Sequence, residues 1–241
     1  MKILVIGDLH ESDFWVDHVD KNKDHVDMIV FMGDYFDSFK KVSVQEALEN
    51  FKKILSLRQT LGEDKVIMLI GNHDFHYTKF CVGRYSGFST TTFVTSGSFL
   101  DELLDSGVLV LSYAVDGYLF SHAGVSSTWF SEMIGDDMNV EDINSVFKQS
   151  PRIVEFRKDE RTTSQYGDNV HQSPIWIRPN SLSTNPYGDY NQIIGHTAVD
   201  FSSMDINRAI MDNGKSLYLV DSGQREAFIL DTETGECEIL R

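Results

Sequence analysis

Three short apolar runs, KILVIG (2–7), DMIVFMG (27–33) and KVIMLIG (65–71), each end in glycine and open directly onto polar side chains. Apolar runs of this length, rich in β-formers, belong in strands covered on both faces. Between them, FWVDHVDKN and VSVQEALENFKKILSLRQTLG have helical spacing, with Leu48, Phe51 and Leu55 recurring at three and four. Strands alternating with helices predict βαβ units and a central parallel sheet.

Further along, residues 75–93 are aromatic and rich in Gly, Ser and Thr without periodicity, and read as a loop. A short helix is expected over 97–105, then a hairpin in VLVLSYAVDGYLFSHAG around Asp116-Gly117, a type I′ turn signal. Helices follow at 126–134 and 139–149. All four prolines fall in 151–191, which reads as an inserted loop or cap. NQIIGHT (191–197) is another strand ending in glycine, and INRAIMD, SLYLVDS, AFILDT and CEILR are late strands with turns at Asn213-Gly214 and Thr234-Gly235. A second sheet built from these late strands and packed on the first is expected.

Composition narrows the function. With 41% hydrophobic residues the chain is globular, and no apolar run approaches the roughly 20 residues of a membrane span. MKILVIGDLHESDF has no small-residue cleavage site and reads as a first strand. Cys81 and Cys237 form no CxxC pair, which suits a reducing, cytoplasmic setting. A formal charge of −16 argues against stable nucleic-acid binding by phosphate neutralisation, though not against a small phosphate ester held at a metal centre.

The polar residues after the strands recur in one chemistry. The first strand is followed by Asp8 and His10, the second by Asp34 and Asp37, the third by Asn72, His73 and Asp74, the hairpin strand by His122 and the late strand by His196. The carboxyl edge of an open α/β sheet is where ligands bind. Asp8 and His10, two apart, point to one side of an extended chain. Carboxylates, imidazoles and a carboxamide suit divalent manganese or iron(II), and one aspartate can bridge two ions about 3.5–4 Å apart.

GDLH, GDYFD, GNHD, SHAG and GHT, in that order over residues 3–197, resemble the signature of the calcineurin-like metallophosphoesterases. SHAG and GHT without a second histidine resemble most the phosphoprotein-phosphatase and diadenosine-polyphosphatase branch in its bacterial and phage form. The resemblance implies an α/β, four-layer αββα sandwich of two mixed sheets, with residues 1–241 as one domain. It implies two divalent ions, manganese foremost: Asp8 and His10 on the first, Asp34 bridging, and Asn72, His122 and His196 on the second. His73 is then the catalytic imidazole and Asp37 the carboxylate that orients it. The implied reaction is phosphate-ester hydrolysis by attack of a metal-bridging hydroxide, with His73 protonating the leaving oxygen.

Three positions depart from that branch or its relatives. Ala198 stands where many relatives have a second histidine, Ser38 where protein phosphatases carry arginine, and Glu11 where glycine is common. The phosphate oxygens therefore need another partner. SPIWIRP resembles a tryptophan-x-arginine element of bacterial members and makes Arg178 the first choice, Arg84 the second. Residues 148–178 carry six Lys/Arg against four Asp/Glu, a local +2 that would steer an anion inward.

The expected reaction is hydrolysis of phosphomonoesters in general, with a phosphorylated small molecule or phosphoprotein as substrate and a dinucleoside polyphosphate as a further candidate. A phosphodiesterase or nuclease and a non-catalytic binding scaffold are the competing readings. The acids and histidines of 13–27 read as a solvated helix face. His76 reads as a loop residue, His171 as exposed, Asp74 as a hydrogen-bond partner of its loop, and the C-terminal acids as solvated hairpin faces.

Overall fold

The computed structural model describes residues 1–38, 40, 42–158, 167–199 and 208–241. The three apolar runs form β1 (Lys2–Ile6), β2 (Met28–Phe31) and β3 (Val66–Leu69), joined by helices α1 (Trp15–Asn22) and α2 (Val44–Leu61). They pair in parallel, Ile3 opposite Met28 and Ile29 opposite Val66. Helix α2 starts at a capping box: Ser43 Oγ accepts from Glu46 N, and the Glu46 carboxylate accepts from Ser43 N. It buries Ala47, Leu48, Phe51 and Ile54 against the sheet.

A single helical turn, α3 (Asn72–Phe75), follows β3, and α4 spans Thr90–Ser106. The helix expected over 97–105 is thus longer at its start. Ser89 caps it by accepting from Thr92 N. The low helix propensity of the threonine run hid a first turn that burial of Thr92, Ser96 and Gly97 stabilises.

The stretch read as one hairpin arm is divided. Its first half is β4 (Leu109–Val110), parallel to β3, and its second is β5 (Ser112–Val115), antiparallel to β6 (Tyr118–Ser121) in the other sheet. Asn144 Oδ1 makes the crossing, accepting from Leu111 N at 2.9 Å and Ser112 N at 3.1 Å. Asp116 and Gly117 hold φ of +50° and +77°, as the turn requires.

Helices α5 (Ser127–Met133) and α6 (Ile143–Gln149) come next, the latter preceded by a 3-10 turn, Val140–Asp142, that occupies the start of the expected 139–149 helix. Within 151–191 lie a 3-10 turn, Pro151–Val154, and the short α7 (Pro179–Thr184). The remaining strands are β7 (Asn191–Ile194), β8 (Arg208–Ile210), β9 (Ser216–Leu219), β10 (Ala227–Asp231) and β11 (Cys237–Leu240).

The late strands do not build one sheet, contrary to expectation. The first sheet has order β11-β10-β1-β2-β3-β4 and the second β5-β6-β7-β9-β8. β10 pairs antiparallel with β1, Leu4 opposite Ile229, and so covers an edge that the sequence-local pattern leaves open. Which edge a strand joins depends on cross-strand packing rather than on its own residues.

The sheets lie face to face. Ile3, Val5, Met28 and Val30 of the first meet Tyr118, Phe120, Ile193 and Tyr218 of the second. The alternate residues Leu4, Ile6, Ile29 and Phe31 face Trp15, Val19, Phe51 and Ile54 of the helices. Ile194, Leu217 and Leu219 pack under Leu182 of α7 on the far side. The result is the α/β four-layer αββα sandwich of two mixed sheets. Among the described residues no helix is long and apolar enough to cross a membrane.

Candidate metal centre

The loops after β1 and β2 close on each other. Leu9 N and His10 N donate to Asp34 O at 3.2 and 2.7 Å, and Glu11 N donates to Tyr35 O at 3.0 Å. This tight turn replaces the extended chain expected from Asp8 to His10. His10 (φ +44°), Asp34 (+52°), Asp37 (+66°) and His196 (+60°) all sit in the left-handed region. Glu11, in glycine's usual place, shares it at +65°. Each such residue costs on the order of 1 kcal/mol and persists only where its surroundings over-determine it.

Here those surroundings are hydrogen bonds between strand ends. Asp74 accepts from Asp34 N (2.8 Å), Tyr35 N (2.7 Å) and Gly71 N (2.9 Å). Asp34 Oδ1 accepts from His73 N at 2.9 Å, and Asp8 Oδ2 accepts from His196 N at 3.0 Å. A methyl on Gly71 would strike Asp34 Oδ1, and one on Gly195 would strike Asp8 Oδ1, so both glycines serve close approach.

Two sets of donor atoms result. Asp8, His10 and Asp34 offer three atoms within 4.8 Å of one another, as do Asp34, His122 and His196. Asp34 belongs to both. The His122 ring is oriented by Met32 O, 2.9 Å from its Nδ1, which leaves Nε2 facing Asn72 Oδ1 at 3.0 Å and Asp34 Oδ2 at 3.4 Å. All six expected ligand side chains therefore meet at the carboxyl edge shared by the two sheets.

Electrostatics suits cations. Asp8, Asp34, Asp74 and Asp221 are each at most 5% exposed. Burial, then Asp221, pushes Asp8 well above the usual carboxylate range; burial and Asp34 raise Asp74 to about 7. Burial works against ionised Asp34, yet His122, His73 and His10 hold it well below that range. Burial also opposes charge on His122, but Asp34 and Asp8 outweigh it and bring the ring to about 10. Burial, His122 and Arg178 push His196 well down, and its buried Nε2 has no hydrogen-bond partner. Crowded carboxylates beside an unprotonated, orphaned imidazole nitrogen fit a pair of divalent ions bound through hard oxygen and borderline nitrogen donors.

His73 stands beside this cluster, its ring 5.2 Å from that of His10 and its side chain 19% exposed. Its Nδ1 lies 2.8 Å from Asp37 Oδ2. Burial lowers the basicity of the ring, but Asp34 and Asp37 more than offset this and raise it above the ordinary value. His76, read from sequence as a loop residue, is fully buried with Nε2 2.7 Å from the same Asp37 oxygen. Tyr77 donates its hydroxyl to Asp37 Oδ1. The signal was available: His76 lies three positions after His73, on one face of a helical turn, which the loop reading of 75–93 obscured.

Asp221 is the other side chain that sequence reasoning missed. Past the end of β9, it is buried and lines the same cavity, with no role assigned to it from sequence. SLYLVDS repeats the apolar-run-into-aspartate pattern of the other strands. Asp74, by contrast, bonds its loop and the adjacent one, as expected.

The cluster forms the floor of a cavity of about 850 Å³. Arg178 and Arg84 both line it. Arg178 Nη1 donates to His196 O and Thr197 Oγ1, each at 3.0 Å, tying it to the strand end that carries His196. Arg84 is exposed, its guanidinium 4.9 Å from the Phe88 ring centroid. Of the 148–178 charge balance, Asp159, Glu160 and Arg161 lie outside the described residues.

Two mixed sheets packed face to face, with an Asp/His/Asn cluster where their strand ends meet, define a metal-dependent hydrolase architecture. The family model for calcineurin-like phosphoesterases matches residues 1–217, and the chain belongs to that family of metal-dependent phosphoesterases. The solved structure of a metallophosphoesterase from Sphaerobacter thermophilus is similar over 100% of this chain and 88% of its own, with 16% identity and a TM-score of 0.48. No curated protein matches the sequence significantly.

Proposed function

We propose that the protein hydrolyses phosphomonoesters, with phosphorylated small molecules or phosphoprotein as natural substrates, and that dinucleoside polyphosphates, cleaved at a phosphoanhydride bond, are a further candidate. The observation that carries this reading is the His73–Asp37 contact, 2.8 Å long, at the rim of the donor cluster. Asp8, His10 and Asp34 would hold one divalent cation, and Asp34, Asn72, His122 and His196 a second, manganese being the expected ion. Bound there, the two ions would neutralise phosphoryl charge and make water nucleophilic near neutral pH.

The side chains then have distinct tasks. Asp37 engages His73 Nδ1, so Nε2 is the ring atom left to protonate the leaving oxygen. His76 and Tyr77 hold Asp37 from its far side. Arg178, anchored to His196 O, would bind a non-bridging phosphate oxygen, with Arg84 lining the same cavity in support.

Hydrolysis of p-nitrophenyl phosphate by manganese-loaded protein tests the reading. His73→Ala is expected to lower turnover by about 10²–10⁴-fold while elemental analysis still finds two ions per chain. An unaltered rate would remove His73 from the mechanism. Faster turnover of bis(p-nitrophenyl) phosphate than of the monoester would assign the activity to diesters.

A further inference from the structure

The cavity exceeds what a phosphoryl group needs, and one of its walls is aromatic. Trp176, Tyr85 and Phe156 line it. Their rings touch: Trp176 lies 4.6 Å from Tyr85 and 5.1 Å from Phe156, with 6.1 Å between Tyr85 and Phe156. The wall begins at the donor cluster, since Trp176 meets His196 edge-on at 6.0 Å. A group attached to a phosphorus held over that cluster has these rings within reach along one wall.

Two of the rings, Tyr85 and Phe156, come from remote segments that one carboxylate joins, and Trp176 packs against both. Glu155 Oε1 accepts from Val82 N at 2.5 Å, and Oε2 accepts from the Tyr85 hydroxyl at 3.1 Å. Phe156 follows Glu155 directly in the chain. The wall is thus organised before a substrate arrives, which reduces the ordering cost of binding. Trp176 is buried, whereas Tyr85 and Phe156 are only half-buried and keep surface for a ligand. Lys158 and Arg84 stand on the same lining and suit a ligand carrying further negative charge.

We propose that this wall is a leaving-group subsite, and that the preferred substrates are phosphate esters whose alcohol carries a planar aromatic ring close to phosphorus. A nucleobase and a tyrosyl ring share that chemistry. The inference rests on the phosphoesterase reading above.

Benzyl phosphate and butyl phosphate have equal charge and similarly basic leaving alcohols, so their comparison reports on what the leaving group touches, and loss of the preference in the wall variants assigns it to the rings. For manganese-loaded wild type, kcat/KM is expected to favour benzyl phosphate by about tenfold, the scale of one ring stacking on an aromatic side chain. In Tyr85→Leu, and independently in Phe156→Leu, the ratio should fall toward one. A wild-type ratio near one, or a ratio that survives both substitutions, overturns the proposal. If neither ester turns over, the phosphoesterase reading fails. The subsite is then decided by calorimetry on the same metal-loaded protein, with tighter binding of benzylphosphonate than butylphosphonate expected and equal affinity refuting it. Adenosine 5′-monophosphate against a phosphotyrosine peptide distinguishes the two ring sources. A phosphoserine peptide turned over as fast as the better of these would count against both.

Discussion

Asp74 holds the backbone on which Asp34 stands: its Oδ2 accepts from Asp34 N at 2.8 Å while Oδ1 accepts from Tyr35 N at 2.7 Å. A carboxylate that binds no cation in the proposed scheme thus keeps the shared ligand in a left-handed conformation. Asp74→Ala would leave the buried N–H groups of Asp34, Tyr35 and Gly71 without their acceptor. The expected cost is about 3 kcal/mol, a fall in Tm of roughly 6–12 °C, with loss of bound manganese. Thermal unfolding and elemental analysis check both; an unchanged melting point would show that water replaces the carboxylate.

His76 shares one Asp37 oxygen with His73 but sits on the buried side. It is a positioning residue in the proposed scheme, acting on His73 through Asp37. His76→Ala should lower kcat by about 10- to 100-fold, less than His73→Ala, with KM and metal content little altered. A variant that loses metal instead would assign His76 a structural role.

Gly195 leaves room for the Asp8 carboxylate, and Gly71 leaves room for that of Asp34. Gly195→Ala should weaken manganese binding roughly tenfold without unfolding the sheets. Chelator-competition titration and circular dichroism separate the two effects. Chelation of the wild type should itself lower Tm, because ions that bind only the folded chain stabilise it, by about 2.7 kcal/mol at a hundredfold excess over Kd.

Burial, reinforced by the Glu155 carboxylate, pushes the Cys81 thiol up to about 12; burial alone pushes Cys237 to about 12. A raised thiol pKa keeps the unreactive protonated form, so at pH 8 both should react slowly with a thiol reagent. Glu155→Gln should quicken Cys81 and leave Cys237 slow. Equal acceleration of both would indicate general loosening rather than loss of the Glu155 contact with the loop before Tyr85.

What could be read from the chain alone was local and punctuated. Continuous apolar runs determine β1, β2 and β3, helical spacing determines α1 and α2, and the glycines that end the runs mark where Asp8, Asp34, Asn72 and His196 leave the sheets. Those signals survive without the fold because they arise from side-chain periodicity and from backbone freedom within a few residues. Only the tertiary structure decided the rest. β10 joins β1 across more than two hundred residues, the chain crosses between sheets at Leu111, Glu155 draws Tyr85 to Phe156, and His76 and Asp221 turn inward toward the centre. Each of these depends on which surface a residue meets after collapse, and burial against a remote partner leaves no period in the sequence to reveal it.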